Sequence, residues 1–228
     1  MQPSLPLQRW LSSSAGQLLL QQEHSWNGEL LKRLYGVHLM QLGLAKENYI
    51  EQATGMHHTF VMDLDAHEEQ SWAVVEGHES ALPIATESLS AVILPHVLEF
   101  SSDPHQLLRE VTRVLTEDGS VVIYGFSPWG ALNLGRRIPS GRYLSAGKVS
   151  EWLALLGYEL VQQQQLPLLG WSWSRSRLNS GAYQLVARRR VVPLNPIRSR
   201  WQRNPVVATR NMVNSEYGNY LPQTKEQQ

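Results

Sequence analysis

Apolar side chains along this chain change period several times, and each change predicts an element. Leu18, Leu19, Leu30, Leu31 and Leu34 form a stripe that predicts helix through residues 1–34, with Asn27-Gly28 as a break. Val37 to Leu42 (VHLMQL) predicts a first strand that ends at Gly43, and Lys46 to Thr54 a short helix. Thr59 to Leu64 and Trp72 to Glu76 predict two more strands. Only the seven residues Asp65 to Ser71 separate these two, too few for a crossover helix, which needs roughly a dozen. Either that helix is lost or the two strands form a hairpin.

The middle of the chain is the most regular. Ala91 to Leu94 is a short apolar run, the mark of a strand buried on both faces. Asp103 then precedes Pro104, a cap followed by a proline at the first helical position. Leu107, Leu108, Val111, Val114 and Leu115 recur at helical spacing until Glu117-Asp118-Gly119, and Ser120 to Tyr124 (SVVIY) is a second buried strand. Strand, helix and strand in this order make a parallel crossover and an α/β sheet. Such sheets bind ligands beyond the carboxyl ends of their strands, so Pro95, His96 and Phe126 to Trp129 should face a cleft. Ala146 to Leu156 predicts a helix stopped by Gly157, and Tyr158 to Leu166 and Ala182 to Val192 predict two late strands. From Pro193 onward Pro, Asn, Arg and Gln predict an extended or disordered tail.

Composition narrows the options. The 228 residues suit one α/β domain with appendages. With no cysteine there is no disulfide, thiolate metal site or cysteine nucleophile. No apolar run reaches membrane-spanning length, and a cytoplasmic location is expected. No histidine spacing suggests a metal site. The net charge of zero hides an asymmetry: residues 1–120 carry 16 acidic and 6 basic side chains, residues 121–228 carry 4 and 14. Nine arginines and no acid lie between Glu159 and Glu216, which makes this part a candidate contact for an anionic partner such as RNA, lipid headgroups or an acidic protein.

The central segment resembles a family. Gly77-His78-Glu79-Ser80-Ala81-Leu82-Pro83-Ile84, Ser88 to Val92, His96-Val97-Leu98, Asp103-Pro104 and Leu108 to Gly119 are similar to the pattern G-D-A-x-x-L-P-F, S-F-D-x-V, H-x-L, D-P and L-x-E-x-x-R-V-L-K-P-G-G. That pattern belongs to class I S-adenosylmethionine-dependent methyltransferases, in the branch of the ubiquinone and menaquinone C-methyltransferases. The resemblance implies a Rossmann-like sheet of seven strands, mostly parallel, with helices on both faces and an antiparallel last strand near Ala182–Arg190. It implies S-adenosylmethionine as cofactor and a small or lipid-like methyl acceptor. It also suggests an organisation into a helical cap (1–34), a methyltransferase-like domain (35–192) and a basic tail (193–228).

The resemblance assigns site residues one by one. The glycine-rich turn D-x-G-x-G-x-G falls on Gln41 to Glu47, where Gly43 remains, Ala45 and Glu47 replace the other glycines, and Gln41 replaces the acid. Glycines there let backbone approach the ligand, and a following helix offers N–H groups to its carboxylate. Glu47 would bring a negative charge near that carboxylate. The ribose diol calls for an acid at the end of the second strand. Asp63 and Asp65 qualify, and Asp65 is favoured as the strand's last residue. His78 and Glu79 would meet the adenine amine, Leu82 and Pro83 would wall its pocket, and Pro95 would stiffen the loop over the cofactor. His96 is the candidate catalytic residue, a neutral imidazole serving as general base. Trp129, Trp171 and Trp173 would overhang the acceptor, and Arg136, Arg137 and Arg142 could meet a phosphate or carboxylate. Two other readings are open: a non-catalytic member of the fold serving as a binding module, and an RNA-interacting methyltransferase.

Overall fold

Asp103 accepts hydrogen bonds from the backbone N–H groups of His105 and Gln106 and so starts a helix at Pro104, as its sequence predicts. The computed structural model describes residues 4–63, 74–79, 81–128, 141–167 and 180–190. The elements are α1 (Ser4–Leu11), α2 (Ser14–Leu31), β1 (Gly36–Leu42), β2 (Met56–Asp63), β3 (Val74–Glu76), β4 (Leu89–Pro95), α3 (Pro104–Val114), β5 (Leu115–Phe126), α4 (Ala146–Leu155), β6 (Tyr158–Pro167) and β7 (Ser180–Arg189).

The strands join in the order β3-β2-β1-β4-β5-β7-β6. β1, β2, β3, β4 and β5 pair in parallel, while β7 runs antiparallel to both β5 and β6. The expected α/β architecture with a mixed, mostly parallel sheet is therefore present. Val92, Ile93 and Leu94 of β4 are fully buried because alternate side chains enter cores on opposite faces, each worth about 1.5–3 kcal/mol of apolar burial. On one face α1 and α2 pack Leu7, Leu11, Leu19 and Leu31 against Leu39, Ile93 and Val122. On the other, α3 and α4 pack Leu107, Val111, Val149 and Leu153 against Val92, Leu94 and Ile123.

Three local expectations are corrected. Asn27-Gly28 does not break the N-terminal helix. α2 runs through both residues, and the chain turns at Ser12–Ser13, where the Ser13 hydroxyl caps α2 by accepting from Gly16 N. Lys46 to Thr54 forms turns and bends, not a helix, for reasons that lie in Gln41 and Tyr49 below. β2, described as far as Asp63, pairs with β3 in parallel, which rules out the hairpin. The residues joining β2 to β3 lie outside the described ones.

Candidate active site

Parallel strands leave their carboxyl ends together, and a cleft of about 220 Å³ lies there. Gly43 follows β1, Asp63 ends β2, Gly77, His78 and Glu79 follow β3, and Pro95, His96 and Val97 close β4. Leu7 of α1, Leu44, Phe100, Ser101 and Ser102 complete the wall.

The backbone is strained on both sides of this cleft. Of the four described non-glycine residues with positive φ, two line it: Leu44 (50°) and His96 (54°). Each left-handed residue costs about 1–2 kcal/mol, a strain that collects at functional sites. Gly43 has φ 81°, and a Cβ there would stand 2.5 Å from Val97 Cγ2. Glycine is required because the β1 and β4 loops approach each other.

Gln41 shapes the turn after β1. Fully buried, it donates through Nε2 to the carbonyls of Gly43 (3.1 Å), Leu44 (3.2 Å) and Glu47 (2.7 Å). Its Oε1 accepts from Tyr49 N at 2.8 Å. One side-chain amide thus takes the Glu47 carbonyl and the Tyr49 N–H, groups that a helix would have used, and the predicted helix does not form. Ala45 N donates to Asp63 Oδ2 at 3.1 Å, tying the turn to the end of β2. Glu47 lines a separate recess with Gln8, Arg9 and Lys46, so the expected clash with a ligand carboxylate does not arise. Its own carboxyl is pushed above the usual range by burial, against the attraction of His24.

His96 is the centre of a buried polar cluster. Its Nε2 lies 2.9 Å from Glu23 Oε1, its Nδ1 lies 3.9 Å from Glu99 Oε1, and its ring stacks on Phe126 at 4.1 Å. Tyr49 donates its hydroxyl to Glu23 Oε2 (2.6 Å), and Asn27 Nδ2 donates to Tyr49 O. Tyr124 OH donates to Asn27 Oδ1 (3.1 Å) and accepts from Gln184 Nε2 (2.7 Å). Burial alone would lower the His96 pKa, but Glu23 and then Glu99 outweigh it and push it up to about 10. His96 is therefore an imidazolium already committed to Glu23. The neutral general base expected from the sequence does not fit this geometry, because the nitrogen that would accept a proton already carries one.

The other candidates divide. Gly43, His78, Glu79 and Pro95 line the cleft. Glu79 is partly engaged: burial raises its pKa, but the nearby Ser101 hydroxyl and the hydroxyl and backbone N–H of Ser102, both of which donate to it, outweigh that and hold it below the usual range. Leu82 and Pro83 do not line the cleft. Leu82 is buried in the α3 side of the core, and Pro83 is exposed. Their turn is pinned by α3: Glu110 accepts from Leu82 N (3.0 Å), and Arg113 donates to Leu82 O and Ile84 O (2.9 Å each). The E-x-x-R spacing is thus structural. Asp65, Trp129, Trp171, Trp173, Arg136 and Arg137 lie outside the described residues. Arg142 donates to the backbone of Ser102 at the exposed rim (3.2 Å).

Sequence reasoning missed Glu23, Asn27, Tyr49 and Glu99. A signal for the first two existed. Gly16, Leu19, Leu20, Glu23, Asn27 and Leu31 follow helical spacing, so an acid and an amide sit on the buried stripe of α2.

Residues 30–123 match the model of the methyltransferase domain. The chain belongs to the class I S-adenosylmethionine-dependent methyltransferase family, whose cofactor is S-adenosylmethionine. Within it, the chain is 30% identical over 183 residues to the uncharacterized Escherichia coli (strain K12) protein YafS, covering 73% of this chain and 75% of that one. Solved structures share the fold at low identity. A methyltransferase of Thermotoga maritima aligns over 81% of this chain and 94% of its own (TM-score 0.59, 14% identity), and one of Aquifex aeolicus over 82% and 98% (0.57, 15%). A Haloferax volcanii methyltransferase, solved with the activator Trm112, aligns over 80% and 97% (0.57, 14%).

The cleft fits the nucleoside half of this cofactor. Asp63 places a carboxylate, the group that can accept from a ribose diol, at the end of β2, and Gly77 to Glu79 follow β3 where a base would lie. The methionine half meets a different surface. No helix N-terminus follows Gly43, and among the described lining residues there is no lysine or arginine for its carboxylate.

Proposed function

We propose that this protein is an S-adenosylmethionine-dependent methyltransferase acting on a small or lipid-like acceptor. The observation that carries the reading is the carboxyl-edge cleft in which Gly43, Leu44 and His96 keep left-handed backbone beside Asp63. The seven-strand order with β7 antiparallel supports it. The apolar side chains of Leu7, Leu44, Val97 and Phe100 support an acceptor with apolar surface.

The cofactor supplies an electrophilic methyl group on a sulfonium. The chain's part is to hold cofactor and acceptor in line and keep water out, effects that reach roughly 7–11 kcal/mol in favourable systems. With His96 already protonated, the acceptor's proton leaves by another route or the acceptor arrives deprotonated. Of the cofactor contacts, Gly43, His78, Glu79 and Pro95 remain in this proposal, Asp63 joins them, and Asp65 is retained as the alternative ribose acid.

The non-catalytic reading also has a specific observation behind it, the amide-braced turn that replaces the glycine-rich loop and its helix. Calorimetric titration separates the two. Binding of S-adenosylhomocysteine, with transfer of labelled methyl to an extract of small molecules, supports the enzyme. No binding at millimolar concentration leaves the binding module. Among the described residues no helix is long and apolar enough to cross a membrane, and we keep a cytoplasmic location as part of the proposal. The arginine-rich stretch between Glu159 and Glu216 is the proposed contact for an anionic partner, and residues 193–228 a segment separate from the domain.

A further inference from the structure

The polar groups at this cleft are unevenly signed. Its wall carries the carboxyl groups of Asp63 and Glu79, and His78 is exposed to solvent. Behind the wall, His96 stands between Glu23 from α2 and Glu99 from the loop after β4, all three at most 2% exposed. Tyr49 and Tyr124 face the same cluster, and both are held neutral by pKa values raised first of all by burial. One imidazolium against two carboxylates leaves one net negative charge.

Glu23 is fully engaged, by His96 and by the Tyr49 hydroxyl. Glu99 is not. Its Oε1 accepts from Phe126 N at 2.7 Å, but its buried Oε2 has no hydrogen-bond partner among the described residues, and neither has His96 Nδ1. A buried carboxylate oxygen without a donor is costly. Glu99 does not itself line the cleft, so a cation brought there acts on its charge through space and lowers that cost, and a neutral ligand does not.

S-adenosylmethionine differs from its product in this respect: methyl transfer turns a sulfonium cation into a neutral thioether. We propose that the Glu23–His96–Glu99 cluster makes the cleft select the cationic cofactor over its demethylated product, with Glu99 as the specificity-determining residue. This rests on the cofactor-binding reading above. It gives the α2 helix a part in recognition, because Glu23 neutralises His96 and so prevents the imidazolium from repelling the sulfonium. The selection also favours product release, since the charge that holds the cofactor is lost in the reaction.

The test is calorimetric and needs no acceptor. Full-length protein and Glu99→Gln are titrated with S-adenosylmethionine, with S-adenosylhomocysteine, with sinefungin (a protonated amine in place of the sulfonium) and with adenosine. Glutamine keeps an oxygen for Phe126 N, and a thermal scan verifies that the variant is folded. The wild type is expected to bind both cationic ligands at least about tenfold more tightly than S-adenosylhomocysteine. Tenfold is about 1.4 kcal/mol, within what one net charge contributes across several ångströms of partly dry protein. Glu99→Gln should bring the three within about threefold and leave adenosine unchanged. Equal wild-type affinity for cofactor and product, or a preference that survives Glu99→Gln, overturns the inference and leaves the cofactor reading standing. Failure of all four ligands to bind overturns both.

Discussion

Glu23 and His96 are 73 positions apart in sequence and meet at 2.9 Å with neither side chain reached by solvent. Their bond ties the N-terminal helix to the wall of the cleft. Glu23→Gln keeps the shape and removes the charge that raises the His96 pKa most, so that pKa should fall, with Glu99 alone left to oppose burial. Breaking one side of a buried ion pair costs about 3–5 kcal/mol. At the low end, about 3 kcal/mol, the melting midpoint should drop by roughly 6–12 °C in a domain of this size. Imidazole NMR and a thermal scan check both, and an unchanged His96 titration would disprove the pairing.

The same bond sets a pH dependence. His96 has its pKa raised from 6.5 to about 10 in the folded protein. Its contribution is complete below pH 6.5, where folded and unfolded chains are both protonated. It is lost as pH rises from 6.5 through about 10, because the unfolded chain has already released its proton. Stability to urea should therefore decline across pH 7–10, with a slope of up to about 1.4 kcal/mol per pH unit from this group. A plateau through pH 9 would show that His96 is neutral.

Gly43→Val places a branched side chain on a left-handed residue, directly against Val97. Backbone strain alone costs about 1–2 kcal/mol, and the contact adds to it. The variant should melt lower and bind S-adenosylhomocysteine at least about tenfold more weakly. Gly147, where a Cβ would meet nothing within 4 Å, is the control, and Gly147→Ala should be silent in both assays.

Gln41→Leu matches the buried volume but deletes the amide. Gly43 O, Glu47 O and Tyr49 N then lose the partner described above, while Leu44 O keeps Glu47 N, and each buried orphan costs about 1–3 kcal/mol. We expect amide exchange of residues 43–50 to speed up by at least about tenfold. The β5–β7 pairing, remote from this turn, should keep its protection.

The ribose acid can be assigned by comparison. Asp63→Asn still accepts from Ala45 N but loses the charge that strengthens bonds from a diol, worth about 1.5–3 kcal/mol each. Affinity for S-adenosylhomocysteine and adenosine should fall at least about tenfold, and Asp65→Asn should cost less. The reverse order would return the role to Asp65.

The legible parts of the sequence are those where local and tertiary forces agree. Asp103-Pro104 caps a helix in any context, and the unbroken Ala91–Leu94 run has nowhere to go but between two cores. The stretch from Lys46 to Thr54 misled because its pattern permits a helix while a residue outside it, Gln41, claims the carbonyl of Glu47 and the N–H of Tyr49. Leu82 and Pro83 misled because a turn held by Glu110 and Arg113 looks, in sequence, like a turn that holds a ligand. The cleft's position followed from strand order alone. Its charge did not, since Glu23 and Glu99 acquire their roles only where distant segments meet.

The polar chain from Glu23 and Asn27 through Tyr124 to Gln184 also governs when this protein can finish folding. The helix that carries Glu23 is synthesised before the sheet, yet its histidine comes 73 residues later and the last link of the chain only at position 184. At about 5–20 residues per second, the ribosome needs several seconds to deliver the histidine. Throughout that interval a stripe of leucines with an acid at its centre has only part of its sheet to cover it. The polar contacts of this helix are therefore completed only once β7, the last strand along the chain, has been made.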